Sequence, residues 1–275
     1  MSERTSGDRG GEGGSRDAPA PGSPPPEDLS SLTRRLGEVL TSFEETGLAA
    51  AASAGRLAPA WLRVTQGEHR LPVTVAVLAM IGLQAAVPER LSLAAWWVLP
   101  VIEVVILTVL IWSNPRRVTH ASSRIRALSL LLIGVASLAN AWSAASLIVG
   151  LVRGREGEDA GVLLTTGGNI WLTNIVIFGL WYWDLDRGGA AARALGTGTS
   201  PAFVFPEMSN PELVRDGWYP SFVDYLHLSF STSMAFSPTD VSAIKPWAKL
   251  MMMAEEATSV VVGILVIARA VNILR

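Results

Sequence analysis

Five apolar stretches, at about 72–88, 91–112, 125–152, 162–183 and 247–274, govern what this chain can become. They approach or exceed the roughly 20 residues that cross about 30 Å of hydrocarbon, and in lipid a lone segment satisfies its own backbone only as a helix. The expected fold is all-α: a polytopic membrane helix bundle over residues 66–275, with about five transmembrane helices and the lipid bilayer as partner. Composition agrees, with 49% hydrophobic and 17% charged residues against about 25% charged in a soluble domain. The charges sit in loops and tail, sum to -2 and form no basic face, so no nucleic acid partner is expected. The absence of cysteine excludes disulfides and thiolate sites. His69, His120 and His227 lie far apart without ligand spacing, so no metal site is expected. Nor is there a nucleophile with a base, a phosphate loop or a metal motif, which argues against an enzyme and against a cofactor.

Residues 1–29, rich in Gly, Ser and Pro, have the composition of a disordered tail and lack the apolar core of a secretory signal. Over 30–65 an amphipathic helical segment is expected. There Leu32, Leu36, Val39, Leu40 and Phe43 recur at helical spacing beside Arg34, Arg35, Glu38, Glu44 and Glu45. It lies on the membrane surface or packs on a partner; the pattern fits both. In the second span Trp96, Trp97 and Trp112 stand where aromatic belts sit, and Pro100 is expected to kink the helix. The third is rich in Ala, Ser and Gly, which lets backbones approach and predicts a central position. The fourth ends in Trp181-Tyr182-Trp183, expected at the membrane interface. Arg116, Arg117, His120, Arg124 and Arg126 form the densest basic loop. Retention of Lys and Arg on the cytoplasmic side then gives a multi-pass protein of the cell (inner) membrane with its N-terminus in the cytoplasm.

Ionisable residues at membrane depth cost about 2.5–3.5 kcal/mol on insertion scales and mark candidate sites. Glu103 sits mid-span among Val101, Ile102, Val104 and Val105. It serves either transport or an interhelical hydrogen bond, for instance to Asn140 or Asn174. Glu255 and Glu256 lie two turns into the last span, within snorkelling reach of an interface together with Lys249. Arg269 and Asn272 share a face near its far end, where packing is the simpler role.

Two resemblances rest on particular residues. The run Leu180–Gly189, Phe203–Pro206, Asp224-Tyr225-Leu226, Ser237–Asp240 and Ala268–Asn272 resemble an uncharacterised bacterial multi-pass inner-membrane family of unknown function. That resemblance implies a membrane class and no activity. More distantly, Ser229-Phe230 followed by Thr232, Ser233, Met234, Ala235, Phe236, Ser237, Pro238, Thr239 and Asp240 is similar to a potassium-channel pore helix and loop. Thr232 and Asp240 keep their places, and Lys249 falls where a basic residue often begins the inner helix. The Gly-Tyr-Gly filter is missing, and Pro238 fixes a backbone angle that a ladder of ion-facing carbonyls does not allow. The resemblance therefore implies a short pore-loop-like helix within 219–245 without potassium selectivity. Ser237-Pro238-Thr239-Asp240 also has the chemistry of a helix start, so a plain helical linker fits as well. The topology places this stretch on the cytoplasmic face, opposite to a potassium channel. The module is inverted, or is not a pore module, or the span count is off by one.

Two functions follow. One is a pore-forming or ion-transport-related protein, a homo-oligomer passing an ion or proton. Its candidate polar residues are Glu103, Thr232, Ser233, Phe236, Ser237, Asp240, Glu255, Glu256, Arg269 and Asn272. The alternative is a non-conducting membrane scaffold or regulatory subunit.

Overall fold

The computed structural model describes Gly37 and residues 64–113, 117, 122–155, 159–198, 200–210, 212, 218–234 and 239–274. All but Gly37 belong to the second of two compact units, Arg56–Arg275. The expected tail, nearly all of the 30–65 segment, Arg116, His120, Phe236 and Ser237 lie outside the described residues.

Apolar runs become helices here because each residue added to a helix satisfies one more backbone group. The order is α1 (Leu71–Ala85), a 3-10 turn at Glu89–Leu91, α2 (Val98–Ser113), α3 (Ser123–Val152) and α4 (Ala160–Leu185). A second 3-10 turn at Asp186–Gly188 leads to α5 (Ala190–Ala194), β1 (Phe203–Val204), α6 (Pro206–Ser209), α7 (Phe222–Ser233), β2 (Ser242–Ala243) and α8 (Pro246–Ile273). By length and composition α3, α4 and α8 are able to cross a membrane, while α1 and α2 are shorter apolar helices. The Asp159 side chain caps α4 by accepting the Val162 N–H at 3.1 Å, and Asp224 opens α7 by accepting the Ser221 N–H at 2.7 Å.

Three expectations are corrected. The second helix starts at Val98, not near 91, so Pro100 lies in its first turn. There the missing N–H has no intrahelical partner to lose, and no kink is required. The fold is not wholly α: β1 and β2 pair antiparallel, Phe203 opposite Ala243 and Val204 opposite Ser242. Both strands run toward a proline, Pro206 and Pro246, which biases the preceding residue to extended backbone. The helical start expected at Ser237–Asp240 does not continue into the described residues, since Thr239 to Val241 are irregular and lead into β2.

The central helix is α4, not the Ala/Ser-rich α3; it packs against α1, α3, α7 and α8. One face of α3 carries the exposed Leu131, Leu138, Trp142 and Val149. Glycines decide the matter. A Cβ on Gly167 would stand 2.7 Å from a Val266 methyl of α8, and one on Gly179 would stand 3.2 Å from the Leu226 Cα of α7. Val266 is β-branched and has few rotamers in which to retreat. Gly167→Ala is therefore expected to destabilise the bundle by about 1–3 kcal/mol. Gly168→Ala meets nothing within 4 Å and should gain up to about 1 kcal/mol from helix propensity. Unfolding of both variants in detergent checks the pair.

Much of the exposed surface of the long helices is apolar. On α8, Leu250, Met253, Val261, Ile264, Ile267 and Val271 are all exposed, a distribution suited to lipid rather than water. Trp96, Trp97 and Trp112 are exposed as well.

Candidate functional site

Residues Glu255 and Glu256 are neighbours on α8, about 100° apart around a helix of 3.6 residues per turn. One must face in and the other out. Glu256 is exposed and Glu255 is completely buried, so the expectation that both are interfacial is corrected for Glu255. The Tyr182 hydroxyl of α4 donates to Glu255 Oε2 at 2.5 Å. The Ser233 hydroxyl of α7 donates to Oε1 at 2.9 Å. Ser229, one turn earlier on α7, also contacts Oε1 and reaches the Ile175 carbonyl oxygen of α4 at 2.7 Å. Three helices thus converge on one carboxyl, and among the described residues its hydrogen-bond partners are Tyr182, Ser229 and Ser233.

Proton accounting allows this centre two arrangements. Ser229 has one hydroxyl hydrogen and two neighbours that accept. With Glu255 ionised, Ser229, Tyr182 and Ser233 all donate to it, and the Ile175 carbonyl keeps only its helical bond. When Ser229 turns its hydrogen to Ile175, the contact with Oε1 survives only if the carboxyl carries the proton and donates to the serine oxygen. Rotating one hydroxyl therefore accompanies gain or loss of one proton.

A polar line continues from this centre. Ser259, one turn further along α8, accepts from Asn174 Nδ2 at 3.2 Å. Asn174 Oδ1 accepts from Asn140 Nδ2 of α3 at 3.5 Å. Asn140 in turn lines a cavity of about 20 Å³ with Gln84, Ser143 and Pro100, about enough for one water. Glu103 lies one turn beyond Pro100, fully buried; Gln84 is its polar neighbour, and among the described residues neither carboxyl oxygen closes a hydrogen bond of good geometry. The expected bond from Glu103 to Asn140 or Asn174 does not form, because those two amides pair with each other. A buried polar group without a bond costs about 1–3 kcal/mol, so Glu103→Leu is expected to stabilise the bundle by about that much. Detergent unfolding reads it; a loss of stability would show that Glu103 has a partner.

The remaining candidates do not join this centre. Thr232 is buried but bonds back to the Leu228 carbonyl at 2.9 Å. Asp240 and Asn272 are exposed, and Arg269 is half-buried far along α8.

A second cluster, which sequence reasoning missed, joins the segment before α1 to the end of α4. Glu68 Oε1 accepts from Arg193 Nη2 at 3.0 Å, and its Oε2 accepts from Trp183 Nε1 at 2.8 Å and the Phe222 N–H at 3.0 Å. Arg193 Nη1 donates to the Trp183 carbonyl at 2.5 Å and the Asp186 carbonyl at 3.0 Å. Asp186 accepts from the Ala202 N–H at 2.7 Å and the Tyr225 hydroxyl at 2.6 Å. Burial by itself lowers the Arg193 guanidinium, but Tyr225, Glu68 and Asp186 around it hold it above its ordinary value. Burial pushes the Tyr225 phenol up. Every charge here has a partner, which makes the cluster a clamp rather than a reactive centre. The polar atoms of Trp181-Tyr182-Trp183 are correspondingly turned into the protein. Trp181 donates to Ser137 at 2.9 Å and the other two serve Glu255 and Glu68, each aromatic using its polar handle inside the protein.

Compared with known proteins, the chain matches no family model, no curated protein and no solved structure.

Proposed function

We infer that the chain is a five-span protein of the cell (inner) membrane, N-terminus in the cytoplasm, that moves protons with Glu255 as the group that binds and releases them. The observation that carries this reading is the Ser229 hydroxyl, shared between Glu255 and the Ile175 carbonyl. A permanently charged carboxylate at this depth calls for a cation, whereas this one is met by hydroxyls alone, the chemistry of a proton relay. The pore-loop-like helix α7 enters as the supplier of Ser229 and Ser233, and the route needs no potassium-type filter. Glu103, buried beside Gln84, is a second proton station on the α2 side.

The test is proton uptake by proteoliposomes under an imposed membrane potential, read with an internal pH dye. Wild type is expected to acidify the lumen and Glu255→Gln to leave it unchanged. The alternative, a non-conducting scaffold, draws on the broad apolar face of α8 that no described element covers. Wild-type protein with no flux above empty liposomes decides for the scaffold.

A further inference from the structure

A cavity of about 520 Å³ lies among α1, α2, α3 and the end of α4, within the size range of small-molecule sites. Its walls are apolar: Val73 and Val77 from α1, Leu107 and Leu110 from α2, Leu132 from α3 and Leu180 from α4. Its charged groups gather at one end, where α1 and α3 begin and α4 finishes: Arg70, Arg126 and Asp184, with Ser122 and Ser123 beside them and Ser129 further in.

That end carries both signs of charge. Asp184 is 6% exposed, and its Oδ2 has no hydrogen-bond partner. Arg126 and Arg193 are near enough for their charges to act on that carboxyl without closing a hydrogen bond to Oδ2, and Arg70 lines the same mouth. Ser122, the N-cap of the 30-residue α3, makes no side-chain cap bond, and the positive end of the helix dipole lies at this mouth too.

We propose that this cavity binds one amino phospholipid, its phosphate at Arg70, Arg126 and the start of α3, its primary ammonium at Asp184, and an acyl chain between α1 and α2. The phosphate meets guanidinium groups and helix amides, both suited to it. The ammonium supplies the charged donor that Asp184 Oδ2 lacks. A free phosphate leaves Asp184 without a donor and the apolar walls empty. A choline head brings a positive charge but no N–H, and a glycerol head brings hydroxyls but no positive charge.

The full-length protein in mild detergent is offered an equimolar mixture of phosphatidylethanolamine, phosphatidylcholine and phosphatidylglycerol with identical chains, and retained lipid is read by native mass spectrometry. One phosphatidylethanolamine per chain is expected, favoured over phosphatidylcholine by about tenfold, the worth of one charge-assisted hydrogen bond. Asp184→Asn brings the two lipids close to parity, and Leu107→Trp, which fills the apolar part, lowers retention of all three. Soluble glycerophosphoethanolamine, the same head without chains, fails to displace the lipid. Equal retention of ethanolamine and choline lipids by wild type, no retained lipid, or displacement by the soluble head overturns the proposal. So does a headgroup preference that Asp184→Asn leaves intact. Should that variant not fold, the wild-type ratio and the displacement arm decide alone.

Discussion

Arg193→Met is expected to destabilise the bundle by about 3–5 kcal/mol, the usual cost of removing one partner from a buried ion pair. Arg193 balances Glu68 while Arg187 pairs with Asp186 at 3.3 Å, so the four charges cancel. Methionine fills much of the space but leaves one net negative charge buried, and the Trp183 and Asp186 carbonyls each lose a donor. Glu68→Gln in the same background should recover part of the loss, because it removes the uncompensated charge while its side-chain oxygen still accepts from Trp183 or Phe222. The double-mutant cycle, measured by unfolding in detergent, should show coupling well above the few tenths of a kcal/mol of distant sites. Additive losses would mean that Arg193 contributes packing rather than charge.

Glu255→Gln is expected to lower proton flux by about 100-fold or more, the lower end of what a positioned acid–base group contributes. Stability should change by only about 1 kcal/mol, the worth of one ordinary hydrogen bond. The amide resembles the protonated carboxyl: its oxygen accepts from Tyr182, and its NH₂ donates to Ser229, whose hydrogen then rests on Ile175. One of the two states is thereby frozen. Ser229→Ala provides the complementary lesion, removing the rotor but leaving the carboxyl, and should slow flux less than Glu255→Gln does. Loss of flux together with loss of folded protein would instead assign Glu255 to architecture.

The helices were legible because hydropathy is a local property that lipid-facing and buried positions share. Their arrangement was not. Small residues in α3 signal close approach, but which helix becomes central depends on where Gly167 and Gly179 meet Val266 and Leu226, and those partners lie far away in sequence. Pro100 misled because its effect reverses between a helix interior and a first turn. Glu103 and Glu255 were both visible as charges in apolar runs, yet their surroundings were not. Glu255 is served by residues 22 to 73 positions away. Glu68 and Arg193 stand 125 positions apart in stretches with no motif, so no local pattern announces the clamp. A weaker signal was present in Arg187-Gly188-Gly189, where left-handed angles of 52°, 84° and 93° reverse the chain after α4 and return Arg193 to it.

The lengths of α1 and α2 have a mechanical consequence. At 15 and 16 residues and 1.5 Å per residue they extend about 22–24 Å, short of the roughly 30 Å hydrocarbon thickness. In the five-span arrangement proposed above, the bilayer would be pinched along that flank, at a cost of a fraction of a kcal/mol for each ångström of mismatch. Two copies placed flank to flank share a single pinch. Under that proposal, membrane elasticity would draw them together without any side chain having to touch.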